Sequence, residues 1–144
     1  MGEEDKGKYD VFICYYSGTG IDFARYLKKR LIEFEKCSFL AEKDIPKSIK
    51  LGTDEWREYI DKALLNSDKF VLIMTLGFGR RTEVLRELEL AIDLKKYRYY
   101  CKYEDLPDKE LIVKIKGETS DLSRFQYISF HNESELLRKL IAEF

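Results

Sequence analysis

The sequence predicts an α/β fold: a doubly wound sheet of five parallel strands in the order 2-1-3-4-5, with helices on both faces. Three observations carry that expectation. Short, continuous apolar runs such as Val11 to Cys14 and Phe70 to Met74 have the length and composition of strands buried on both faces. Amphipathic segments of roughly 10 to 15 residues separate the runs, as crossover helices between parallel strands require. Glycine stands at the strand-to-helix joints, in Ser17-Gly18-Thr19-Gly20 and at Gly77 and Gly79. A length of 144 residues suits one domain with a proper core. We place that domain at residues 9–144, after a polar, frayed segment at 1–8.

In chain order, Tyr9 to Tyr16 reads as the first strand, and the glycine turn after it leads to a helix with Phe23, Leu27, Leu31 and Phe34 at helical spacing. The basic run at Lys28, Lys29 and Arg30 reads as a solvated helix face. Cys37 to Leu40 is a short second strand. Ala41 to Gly52 contains Pro46 and has no period of its own, so it is expected to be a long exposed loop. Thr53 should cap the next helix, whose Asp54 and Glu55 suit the N-terminal dipole and whose Trp56, Ile60, Ala63 and Leu64 form a buried stripe. Phe70 to Met74 is the third strand, and Thr82 is expected to cap the third helix. Tyr97 to Tyr103 gives a fourth strand, ended before Pro107. Leu111 to Leu122 fits neither period well. Phe125 to Phe130 alternates like a last strand, and Ser134 should cap a final helix carrying Leu136, Leu137, Leu140 and Ile141.

The composition narrows the function classes. A net charge of -1 with 37% charged residues shows no general attraction to nucleic acid or anionic membrane. Three dispersed cysteines (Cys14, Cys37, Cys101) without a C-x-x-C, and a lone His131, suggest a reduced cytoplasmic setting and no metal site. No run approaches the ~18 apolar residues of a membrane span. His131 has no serine or cysteine motif near it, and the P-loop pattern is absent.

In a sheet of this order, ligands bind where the strand order reverses, beside the loops after the first and third strands. Here these are Tyr15 to Gly20 and Thr75 to Arg81. Gly18-Thr19-Gly20 would begin a dinucleotide fingerprint, but Phe23 occupies the third glycine position, which favours a plain strand-to-helix turn. At roughly 100° per residue from Thr82, the apolar arc holds Val84, Leu85, Leu88, Leu90, Ala91, Ile92 and Leu94. Glu87 falls among them. A carboxylate on the apolar arc is either a boundary residue paired with Arg80 or Arg81, or a functional group aimed into the crevice. Glu83, one turn earlier, is explained by the helix dipole alone. Burial should raise the pKa of Glu87 somewhat, with the helix N-terminus and Arg80 or Arg81 opposing, which leaves it ionised at neutral pH.

From about Lys8 to Phe144 the chain resembles a TIR (Toll/interleukin-1 receptor) domain. The residues that carry the resemblance are YDVFICYYSGTG for the family's first strand and loop, FLAEKDI…LG for the second strand and the BB loop ending near Gly52, NSDKFVLIMT for the third strand, EVLRELELAI for the W-C-x-x-E-L helix, and the closing YISF with its amphipathic helix. The resemblance implies a flavodoxin-like sheet. In one large branch of the family it implies an enzyme that cleaves the nicotinamide–ribose bond of NAD, which is a substrate there, with no further cofactor. The catalytic glutamate of that branch falls on Glu87. Tyr16, Ser17, Gly18, Thr19, Glu42 and Lys43 would line the NAD cleft. The aromatic that often stands four residues before the glutamate is Glu83 here, so Phe78 or Tyr16 would supply the stacking surface. The resemblance also implies self-association through the BB loop, at Ile49, Lys50, Leu51 and Gly52, into a homo-oligomer, with a sensor or adaptor as a further partner. A non-catalytic adaptor is the alternative. A phosphotransfer receiver would need acidic residues where Tyr15-Tyr16 and Thr75 stand.

Overall fold

The computed structural model describes residues 8–144; the segment expected to fray falls almost wholly outside them. One parallel sheet contains β1 (Tyr9–Cys14), β2 (Ser38–Phe39), β3 (Ser67–Met74), β4 (Tyr97–Tyr103) and β7 (Tyr127–Phe130), in the order β2-β1-β3-β4-β7. With β7 as the fifth strand of this sheet, that is the expected order. Its register sets Phe12 beside Phe39 of β2 and Phe70 of β3, and Leu72 beside Tyr100 of β4. The period of two then sorts the apolar runs onto two faces.

One face carries Phe12, Cys14, Phe70, Leu72, Met74 and Tyr100. It packs on α3 (Asp54–Leu65) and α4 (Thr82–Asp93) through Trp56, Ile60, Leu64, Val84, Leu88 and Ala91. The other carries Val11, Ile13, Val71, Ile73 and Cys101. It packs on α1 (Ser17–Leu31) and α5 (Glu133–Glu143) through Ala24, Leu27, Leu136 and Leu140. Phe70 to Met74 are all 0% exposed, which is why that run had to be apolar throughout. Phe12 stacks between Phe39 and Phe70 at centroid distances of 5.2 and 5.8 Å and joins the edge strand β2 to β1 and β3.

Four details differ from the sequence expectation. The segment after β2 begins with a short helix, α2 (Ala41–Asp44), and Ile45 is buried, so it is not a wholly exposed loop. Thr82 is the first residue of α4 rather than its cap; Arg81 holds the N-cap position and makes no side-chain cap bond. Asn132, not Ser134, caps α5, accepting from Glu135 N. Thr53 caps α3 as expected, accepting from Trp56 N. The ambiguous stretch is an antiparallel hairpin, β5 (Ile112–Ile115) and β6 (Glu118–Asp121), turning at Lys116 and Gly117 with positive φ.

The hairpin braces the functional end of the sheet. Lys116 N donates to Glu89 of α4 at 2.7 Å, and its ammonium pairs with Asp93. Val113 and Leu111 are buried against the turn Phe78–Arg80 that precedes α4. A Cβ on Gly79 would lie 2.5 Å from Cγ1 of Val113, so the hairpin can seat only against glycine there. Gly79→Ala should therefore cost about 1–3 kcal/mol, seen as a lower midpoint in chemical denaturation. An unchanged midpoint would mean that the hairpin does not press on this turn.

Candidate active site

A cleft of about 300 Å³ opens beside the carboxyl end of β1. One wall is the end of β1 with Tyr15, Tyr16 and Ser17; the other is the first turns of α4, from Arg81 to Val84 and Glu87. Ala41, Leu51 and Trp56, from the segment after β2 and from α3, close the remaining side. The switch-point argument placed a crevice between the loops after β1 and β3, and the β1 loop does line it. The β3 loop contributes only through Arg81, because Phe78 drives the turn Phe78–Arg80 into the core.

Glu87 lies at the base of this cleft and is 8% exposed. Its surroundings are Val84, Trp56, Phe12 and the Cys14 thiol, which gives a carboxylate little hydration. Loss of water on burial raises its pKa to about 8. A hydrogen bond with Cys14 and the charge of Arg86 oppose the rise, while Glu83 and Asp61 add to it. The expectation of an ionised Glu87 at neutral pH is therefore corrected: burial favours the protonated carboxyl. The proposed cationic partners are engaged elsewhere. Arg80 donates to Glu110 at 3.3 Å, and Arg81 lies over the Tyr16 ring. Burial, and then Glu87 beside it, raises the pKa of the Cys14 thiol.

The acids and bases nearby are bound in pairs. Arg57 of α3 donates to Glu83 Oε2 from two nitrogens, at 2.6 and 3.1 Å, and Arg86 donates to both oxygens of Asp61 at 2.8 Å. Glu83 thus has a firmer reason for its position than the helix dipole. Its other oxygen, Oε1, is buried without a partner among the described residues, on a side chain that lines the cleft.

The remaining residues assigned from the sequence divide clearly. Tyr16, Ser17 and Glu83 line the cleft with Glu87. Gly18 is not part of the lining and makes room for the Tyr16 ring. Thr19 also lies outside the lining; its hydroxyl meets Thr75 Oγ1 at 2.8 Å and Leu76 O at 2.7 Å, which ties the β1 loop to the β3 loop. Glu42 pairs with Arg25 of α1, and Lys43 is exposed; neither lines the cleft, where Ala41 takes that place. Phe78 is 0% exposed and offers no surface for stacking, so Tyr16 and Trp56 are the aromatic walls. In the segment assigned to self-association, Ile49 is half-buried, Lys50 and Leu51 are exposed, and Gly52 turns the chain at φ 81°. Leu51 both borders the cleft and stands 79% exposed. Sequence reasoning placed Arg81 in the crevice loop, as an alternative partner of Glu87, and missed Cys14 and the cleft role of Trp56; the end-of-strand position of Cys14 could have signalled the thiol.

A sequence model of the TIR domain matches residues 11–141, and the chain belongs to the TIR domain family. No curated protein matches it. Among solved structures, it is similar to the TIR domains of the activated Roq1 resistosome that directly recognises the pathogen effector XopQ, at 13% identity, 94% coverage of this chain, 99% of that one, and a TM-score of 0.71. It is similar to the TIR domain of the Toll-related receptor TRR-2 from Hydra magnipapillata, at 19% identity, 94% and 98% coverage, and a TM-score of 0.66. It is also similar to the Clostridium botulinum CMP N-glycosidase BcmB, at 16% identity, 93% and 98% coverage, and a TM-score of 0.64.

Because Glu87 is protonated when folded and ionised when unfolded between pH ~4.5 and about 8, it withdraws stability as pH rises through that window. Glu87→Gln removes the titration. The variant should match the wild type near pH 4.5 and exceed it by ~2–4 kcal/mol above pH 8, measured by denaturation across the range. A constant difference would show that Glu87 titrates as an ordinary surface carboxylate.

Proposed function

We propose that this TIR domain hydrolyses or cyclises NAD+ at the nicotinamide–ribose bond, releasing nicotinamide and ADP-ribose or a cyclic isomer of it, in an immune or defence signalling role. The observation that carries the proposal is the carboxyl of Glu87, 8% exposed, at the base of a cleft at the carboxyl end of β1. Cleavage of this bond develops positive charge on the ribose while a cationic ring departs as neutral nicotinamide. It needs a negative charge and acceptors beside the sugar more than it needs a strong acid.

Glu87 supplies that charge when its proton leaves. A positively charged pyridinium entering the dry cleft lowers the carboxyl pKa by direct attraction, so substrate itself favours the ionised form. The ionised carboxylate then stabilises the oxocarbenium-like ribose, and water or a group of the substrate takes the anomeric carbon. Glu83 Oε1, buried and unpartnered, is suited to accept from a ribose hydroxyl. Trp56 gives a flat apolar wall for a ring. The likeness to a CMP N-glycosidase supports the reading to the extent that one protein of this fold is named for cleaving an N-glycosidic bond.

A second reading, a TIR adaptor that signals by self-association alone, is favoured by Leu51. An aliphatic side chain left 79% exposed near a glycine turn is a natural contact for another copy. Both readings are compatible if assembly completes the cleft that Leu51 borders.

Purified protein incubated with NAD+ at high concentration should release nicotinamide, and Glu87→Gln should lower the rate by a factor of at least about 100. The kcat/KM should rise with pH and level off above about 8, as the free enzyme's carboxyl loses its proton. Leu51→Ser, followed by sedimentation in parallel, should weaken self-association. Inert wild type with Leu51-dependent association would leave the adaptor reading, and equal activity of Glu87→Gln would remove Glu87 from the chemistry.

A further inference from the structure

The chemistry at Glu87 does not by itself use the pair formed by Tyr16 and Arg81. The Tyr16 ring lies close over Gly18 and in ordinary contact with Gly77. A Cβ on Gly18 would lie 2.4 Å from Tyr16 Cζ and Oη, and one on Gly77 would lie 3.4 Å from Cε2. Gly77 adopts φ 85°, and it is this backbone conformation that favours glycine there. The Tyr16 ring carries the guanidinium of Arg81 on its face, with 4.3 Å between Cζ and the ring centroid.

The other charged groups of the cleft are accounted for. Glu83 is held by Arg57, and Glu87 is turned into the base. The neighbouring Arg80 is bound to Glu110, which also accepts from Gly77 N at 3.2 Å. Among the described residues, Arg81 has no carboxylate partner, and it borders the cleft in the open. Stacking occupies the face of a guanidinium and leaves its edge, where the N–H donors form a planar fork, free for a phosphate. It also fixes the side chain beforehand, so less rotamer freedom is lost on binding.

We propose that Arg81, presented by the Tyr16 ring, is the anion-holding group of this cleft and takes the diphosphate of a nucleotide whose ribose lies at Glu87. The assignment rests on the proposed reading of Glu87 and adds the part of the ligand that this reading leaves unheld. It accounts for glycine at 18, since a side chain there would displace the ring that carries the cation. Lysine at 81 would keep the charge but lose the fork and the flat stack.

The test is titration of ADP-ribose into wild type, Arg81→Gln and Arg81→Lys by calorimetry, at low and moderate salt. Arg81→Gln should bind at least about tenfold more weakly, with Arg81→Lys in between and thermal melting unchanged. The salt dependence of the wild type should be reduced in Arg81→Gln. Failure of the wild type to bind ADP-ribose, or equal binding by Arg81→Gln, overturns the assignment. Nicotinamide release from NAD+ by the same preparations separates the two readings. Absent release with Arg81-dependent binding removes the hydrolase and leaves the anion subsite; release with Arg81-independent binding does the reverse.

Discussion

A carboxyl group kept from water at the end of a parallel sheet is the constraint to which the rest of this structure answers. Glu87 occupies a helix position that packing would give to an apolar residue, one turn after Val84 and one before Ala91, both buried. Holding it there disfavours its charge, and the protein meets that cost with a retained proton rather than with a cation. The nearest hydrogen-bonding group is the Cys14 thiol from β1, a weak donor that does not neutralise it. Such a group is poised to change its charge when a cation arrives, which a stable ion pair could not do as readily.

The surrounding contacts keep that balance. Arg57 with Glu83 and Arg86 with Asp61 bind α3 to α4, and neither arginine pairs with Glu87. Glu110 pairs with Arg80 while holding the backbone of Gly77. Thr19, in the first turn of α1, ties the start of that helix to the β3 loop. The hairpin β5–β6, packed on the turn before α4 and bonded to Glu89 and Asp93, extends this bracing along the helix.

Much of this was legible in the chain. Period and punctuation located the five strands of the main sheet and its order, because the inner strands had to be apolar on both faces, the last strand alternates, and crossovers between them needed amphipathic helices. Glu87 stood out for the same reason: a charge on a stripe where packing demands none. The helix caps were misplaced by one or two residues because Thr82 and Ser134 are good cap residues that the chain passes over, using Arg81 without a side-chain bond and Asn132. The hairpin escaped notice because its strands are short and half exposed, so neither period develops. The partners of Glu87 were beyond reach: nothing local says that Arg80 turns to Glu110, 30 residues on, or that Phe78 enters the core. Burial, rather than any of these partners, dominates its ionisation.

Carbon-13 NMR titration of the glutamate carboxyls, with Glu87→Gln to assign the resonance, tests the central claim directly. The account predicts a midpoint for Glu87 near 8 in the free protein, well apart from the other glutamates. A midpoint at roughly 4 to 5, the ordinary range of a solvated glutamate, would contradict it.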